Sequence, residues 1–415
     1  MVIIPLHTMI NPIYHTLPNG IRLIHQQIPG MVSHCGLFIN TGSRDEEPDE
    51  HGAAHFIEHM LFKGTQRRKA YHILSRLEDV GGELNAYTTK EETVIHASFL
   101  SPDYERAIEL IADIAFSSVF PEKEIKREKE VITEEINSCL DNPAELIFDE
   151  FEELVFKDQA IGRSILGTSE SVKNITRTKL LSFIKRNYKT DKMVFCSVGN
   201  TDTKKIIRLF TKYFGQVEEN SSGLNAKHKI SYNPVSITRK MDTFQSHCIT
   251  GNIAYDLKDS RRMAMFMLNN ILGGQGLNSR LNLSLREKNG LAYNVESIYN
   301  PYGDTGIFCI YFGTDRQNMS KSLSIASSEM DKLMKNSLGT LQLSKAKAQV
   351  KGYLARGYEN HESLMLSLGK SLLVFGVIDS IEKICRKIDD VTSSEILEAA
   401  NEVFDKKMLS TLIFE

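Results

Sequence analysis

The chain has no C-x-x-C pair, no large net charge, no lysine or arginine before Arg22 and no apolar run long enough to cross a bilayer. Its six cysteines (Cys35, Cys139, Cys196, Cys248, Cys309, Cys385) lie far apart, which argues against a disulfide framework and against a cysteine metal cluster. Fifty Lys and Arg against 53 Asp and Glu leave a net charge of −3, so neither nucleic acid nor an anionic membrane is an expected partner. The opening "MVIIPLHTMINPIYHTLPNG" is broken by prolines and reads as neither a secretory signal nor a basic transit peptide. A cytoplasmic location without membrane attachment is therefore expected, with Met9 as an alternative start to Met1. What is present is a globular composition, 41% apolar and 25% charged, over 415 residues, which implies two or three domains.

Self-similarity divides the chain. "SHC" occurs at Ser33-His34-Cys35 and again at Ser246-His247-Cys248, an offset of 213 (246 − 33), each time opening a strand-like apolar run. Late in each half, "LLSFIKRNYKTDKMVFCSVG" and "EILEAANEVFDKKMLSTLIF" share one order: amphipathic helix, charged turn, methionine, strand. Met193 and Met408 repeat nearly the same offset. "VEENSSGLNAKHK" between the halves has linker composition. Strands such as "RLIHQQI", "ETVIHASFL" and "GIFCIYFGT" alternate with helical patterns near 101–117, 122–140, 258–272 and 316–336. Hairpins mixed with helices predict an α+β fold, not a doubly wound parallel sheet. The expected organisation is two homologous domains, 1–216 and 230–415, joined by a linker at 217–229, each an antiparallel or mixed sheet packed with helices.

The chemistry gathers first in "AHFIEHMLFKGT", residues 54 to 65. On a helix His55, Glu58 and His59 fall within about a 100° arc. Two imidazoles at i, i+4 can grip one divalent metal, and a carboxylate just before the second can hold a water beside it. His-x-x-Glu-His is a zinc pattern, though His51, four residues before His55, leaves the ligand pair ambiguous. An amphipathic helix with histidines on its polar face is the alternative.

A catalytic zinc needs a third protein ligand. The segment "PEKEIKREKEVITEEINSCL" (121–140) starts with Pro121 and acidic residues, as helices do. With Ile125 at zero on a helical wheel, Ile132, Ile136 and Cys139 lie within about 40° and Val131 near about 240°. Glu130 and Glu134 fall on the outer face, whereas Glu128 and Glu135 fall near about 300° and 280°, inside the apolar stripe. Buried carboxylates need a cationic partner. A zinc ion answers this for Glu135, and a hydrogen bond from a ligating histidine answers it for Glu128. A buried salt bridge to Lys or Arg, or a helix less buried than the wheel implies, is the competing explanation.

At this point the sequence resembles the pitrilysin/insulinase family of zinc peptidases, in the branch similar to mitochondrial processing peptidase. His-x-x-Glu-His with Glu135 separated from His59 by 75 residues (135 − 59 − 1) matches the family spacing, and Glu128, seven before Glu135, matches its second buried glutamate. "GGELNAYTTKEET" also stands as in the family. The resemblance implies one Zn2+ per chain held by His55, His59 and Glu135, with Glu58 as the base and His51 excluded. In "REKNGLAY" Arg286 and Tyr293 match the family pair that holds the substrate carbonyl. Fixed donors of that kind would stabilise the negative charge that hydrolysis develops on the carbonyl oxygen. A glycine-rich stretch, "GGQGLNSRL", corresponds to a loop along the family's substrate chamber and departs from the commonest form at Gln275 and Asn278. By itself it reads as a helix end with a tight turn.

The implied activity is a zinc metalloendopeptidase acting on extended peptides in a closable chamber. The strand containing Asn85 and Ala86 is the expected edge for peptide addition. Two domains are half of the four-domain chamber, so the resemblance implies a homodimer whose Arg286 and Tyr293 complete the partner's zinc site. The alternatives are a non-catalytic scaffold subunit, or a processing subunit that needs a different chain.

Overall fold

The computed structural model describes residues 11–221 and 230–415. Residues 222–229 of the expected linker, and both candidate starts Met1 and Met9, lie outside the described residues.

The first sheet contains β1 (Ile13–Thr16), β2 (Arg22–Gln27), β3 (Val32–Ile39), β4 (Glu83–Thr88), β5 (Thr93–Leu100) and β6 (Met193–Gly199). Their order across the sheet is β1-β2-β6-β3-β5-β4. The second contains β7 (Ser236–Arg239), β8 (Ser246–Ala254), β9 (Ala292–Pro301), β10 (Gly306–Thr314) and β11 (Ser410–Phe414), in the order β7-β11-β8-β10-β9. The two orders coincide if β2, β6, β3, β5 and β4 are matched to β7, β11, β8, β10 and β9. Each sheet has one parallel pair, β2 with β6 and β7 with β11, and these also correspond. The repeated "SHC" lies at the start of β3 and β8, which occupy the same place in their sheets. The fold is α+β, built twice.

The central strands β6 and β10 are buried at every position, as continuous apolar runs covered on both faces should be. In the first unit one face packs on helices Ala53–Leu61, Tyr104–Phe116, Arg177–Asn187 and Thr203–Phe214. The other face is covered by helix His361–Phe375, whose Leu364, Met365, Leu368 and Leu372 meet Phe38, Val94 and Val194. In the second unit helices Arg262–Gly273, Met319–Lys335 and Ser393–Val403 cover one face. Helix Pro143–Val155 covers the other through Ile147 and Phe151.

Each half of the sequence thus lends a helix to the other half's sheet. The compact units are Met1–Ile136 with Ile165–Ala226 and Ala355–Ile381, and Asn137–Ser164 with Lys227–Leu354 and Glu382–Glu415. These units follow packing, whereas the expected division into 1–216 and 230–415 follows the sequence repeat. A sheet apolar on both faces needs two covers, and one of them arrives from far along the chain.

Candidate metal centre

Helix Ala53–Leu61 lies in the first unit beside β4 and is buried along most of its length. Its start is built from two distant pieces. Gly52 turns the chain at φ +89, where an added Cβ would lie 2.8 Å from the Leu166 carbonyl oxygen. The buried Glu46 carboxylate accepts the amides of Gly52 at 2.9 Å and Ala54 at 2.8 Å, satisfying donors that a helix start leaves free. Beyond the helix, Arg68 binds Glu109 and Asp113, fixing the turn that follows.

Helix Glu122–Leu140 crosses opposite and buries Ile125, Glu128, Ile132 and Ile136. These four span an arc of about 80°, narrower than the stripe drawn on the wheel to Val131. Val131 is in fact 49% exposed, and the Glu135 side chain is 45% exposed. Glu128 is 3% exposed, as expected, but Glu135 stands at the margin of the stripe and not inside it. The burial argument for a cation beside Glu135 therefore gives way to geometry.

That geometry is convergent. Glu135 Oε2 lies 3.7 Å from His55 Nε2 and 3.5 Å from His59 Nε2, and one ligand atom from each of the three residues falls within 4.8 Å of the others. The two distances exceed a good N–H···O hydrogen bond of about 2.7–3.2 Å. They are close to the roughly 3.3 Å that separates two donors on one tetrahedral zinc. His51 lies in the turn before Gly52 and takes no part in this group.

The protonation logic agrees. Glu128 Oε2 sits 3.1 Å from His59 Nδ1, so His59 donates there and turns its Nε2 lone pair towards Glu135. Burial, and then the charge of His59, push the His55 imidazole down to about 4, leaving it neutral with a lone pair to offer. His55 Nδ1 is buried and has no hydrogen-bond partner among the described residues. Two imidazoles and a carboxylate are the donor set zinc takes in hydrolytic sites. Glu58 shares the helix. Burial raises its carboxyl above the usual range, and Thr88, the last residue of β4, partly offsets this.

Asn85 and Ala86 lie on β4, Asn85 exposed and Ala86 packed partly on the core. The strand is at the end of its sheet and pairs only with β5 among the described residues. Arg286 and Tyr293 belong to the second unit. Arg286 lies in the π-helical turn Asn282–Glu287, one residue before its end, and its guanidinium lies over the Tyr293 ring, 5.0 Å from the centroid. Tyr293 is 74% exposed near the start of β9, so the structure brings the pair together at a surface.

Three residues around the metal group escaped the sequence reading. Lys63 lies four residues after His59, and helical spacing would have found it. Glu46 left no local signal, because a carboxylate six and eight residues before the amides it accepts fits no capping pattern. Thr88 is close to Glu58 only through the packing of β4.

Comparison with known proteins places the chain in a family. The family model described as insulinase (peptidase family M16) matches residues 22–169, and the model described as peptidase M16 inactive domain matches residues 174–350. The chain belongs to peptidase family M16. An M16 relative, an uncharacterized zinc protease of Streptomyces coelicolor, is 33% identical over 404 residues, 94% of this chain and 87% of its own. The uncharacterized zinc protease YmxG of Bacillus subtilis is 31% identical over 400 residues, covering 96% of this chain and 97% of its own. Among solved structures, a protease from Helicobacter pylori matches with a TM-score of 0.90 at 20% identity, over 98% of this chain and all of that one, and so shares the M16 fold. The second M16 model's description as inactive accords with a half that carries no His-x-x-Glu-His. No helix among the described residues is long and apolar enough to cross a membrane.

Proposed function

We propose that this M16 chain is a zinc metalloendopeptidase that hydrolyses peptides bound in extended form. The observation that carries the reading is the convergence of His55 Nε2, His59 Nε2 and Glu135 Oε2, with Glu58 on the same helix as the two histidines. His55, His59 and Glu135 would hold one zinc ion per chain. When bound, zinc supplies a Lewis acid that makes a neighbouring water acidic near neutral pH and polarises the peptide carbonyl.

The chain's own groups do the rest. Glu58 takes the proton of the attacking water and delivers it to the leaving amine. Glu128 holds the His59 ring so that its Nε2 points at Glu135. The free edge of β4 at Asn85 and Ala86 receives the peptide as an added strand, so backbone pairing outweighs side-chain preference. Arg286 and Tyr293 donate to the carbonyl oxygen as negative charge develops on it. They do so in a homodimer, where the pair on one subunit completes the zinc site of the other inside a closable chamber. The mutual contact of Arg286 and Tyr293 and the exposure of the Tyr293 ring support that role.

The purified chain is to be incubated with a mixed peptide pool, with and without a chelator. Cleavage abolished by chelation and restored by zinc supports the reading, and a pool left intact in the presence of zinc contradicts it.

A further inference from the structure

Lys63 stands just beyond the metal helix, four residues after His59, and its ammonium reaches the same buried carboxylate that His59 reaches. Nζ lies 2.7 Å from Glu128 Oε1, while His59 Nδ1 lies 3.1 Å from Glu128 Oε2. Each oxygen of Glu128 therefore has its own donor, one cationic and one imidazole. We propose that Lys63 is a positioning residue that fixes Glu128 and, through it, the His59 ligand, and so sets how tightly zinc is held. The proposal rests on the zinc reading above.

The geometry determines the direction of the effect. A carboxylate gripped at one oxygen turns freely about its last bond, whereas one gripped at both presents a fixed lone pair to the second donor. The Glu128 side chain is only 4% exposed, so water is a poor substitute for the ammonium at Oε1. Without Lys63 the buried oxygen must seek another donor. Swinging towards one takes Oε2 from His59 Nδ1 and releases the ring whose Nε2 faces Glu135.

An opposing effect exists, because removing a cation also relieves repulsion of the zinc. The Lys63 side chain is 30% exposed and paired with Glu128, so much of that repulsion is already screened. The loss of orientation is the larger effect. Residues that orient a ligating histidine are worth about 10–100-fold in metal affinity, and a residue acting one step further out belongs at the lower end.

The test is zinc affinity by chelator competition on the full chain, for wild type, Lys63→Met, Lys63→Arg, Glu128→Gln and the Lys63→Met/Glu128→Gln double variant. Lys63→Met should weaken zinc binding about tenfold, and Lys63→Arg, which keeps a charged donor, should stay near wild type. In the Glu128→Gln background the Lys63→Met change should add little, since Lys63 acts through Glu128. If Lys63→Met does not fold, Lys63→Gln takes its place in the same comparison. Wild-type affinity in the Lys63→Met variant, or a loss that adds in full to that of Glu128→Gln, would overturn the proposal while leaving the zinc reading intact. A wild-type chain that binds no zinc would overturn both.

Discussion

Gly369 lies inside helix His361–Phe375, where glycine is ordinarily a cost, and replacing it with alanine should nevertheless destabilise the protein. In an exposed helix interior Gly→Ala gains about 0.8–1 kcal/mol. Here a Cβ at residue 369 would sit 2.2, 2.4 and 2.6 Å from three carbons of the Phe38 ring. Carbon atoms rest at about 3.5–4.0 Å, so the ring or the helix must move by more than about 1 Å. Phe38 has no exposed surface and is enclosed by Val94, Val194 and the leucines of the same helix, which leaves it nowhere to go. Overpacking of that kind costs about 1–3 kcal/mol and occasionally more. The clash outweighs the propensity gain, and Gly369→Ala should lose up to about 2 kcal/mol net. The assay is the urea midpoint of the first unit, read together with hydrogen exchange of amides in His361–Phe375. Adding Phe38→Leu should recover part of the loss, because a smaller side chain opens the space the Cβ needs. A Gly369→Ala protein more stable than wild type would refute the claim that this helix closes tightly on the first sheet.

Other outcomes follow from the site. Glu135→Gln should lose zinc on dialysis while Glu134→Gln keeps it, and equal metal content in the two would remove Glu135 from the ligand set. Glu46→Ala strands two amides at the start of the metal helix and should cost about 2–3 kcal/mol in a melting experiment. An unchanged melting point would mean that water caps the helix as well. A Glu58→Gln chain mixed with a Tyr293→Phe chain should recover activity towards half the wild-type level per dimer. No recovery despite subunit exchange would mean that Arg286 and Tyr293 do not complete a partner's site.

Much of this molecule was legible in its sequence because the informative patterns are local. Helical spacing alone puts His55, Glu58 and His59 on one face, and a wheel separates Glu128 from Glu130 and Glu134. The duplicated "SHC" lands on β3 and β8, strands with the same neighbours in their two sheets. What remained hidden depends on contacts between distant residues. The amphipathic pattern of Pro143–Val155 or His361–Phe375 says that a face will be buried but not against which sheet, so the exchange of helices left no trace in composition or spacing. Glu135 was placed too deep for a related reason. A wheel gives angles, but the width of the buried arc depends on how much of the helix its neighbours cover, and here they stop short of Val131. Glu46 reaches the metal helix only through the folded path of the chain between them.

If the His55, His59 and Glu135 group holds zinc while Glu58 moves the proton, one substitution should separate the two roles. The most direct measurement is zinc content and peptide cleavage on one preparation of Glu58→Gln beside wild type. Both proteins should carry one zinc per chain, and only the wild type should cleave. A Glu58→Gln protein that cleaves at the wild-type rate, or one that has lost its zinc, would contradict this division of roles.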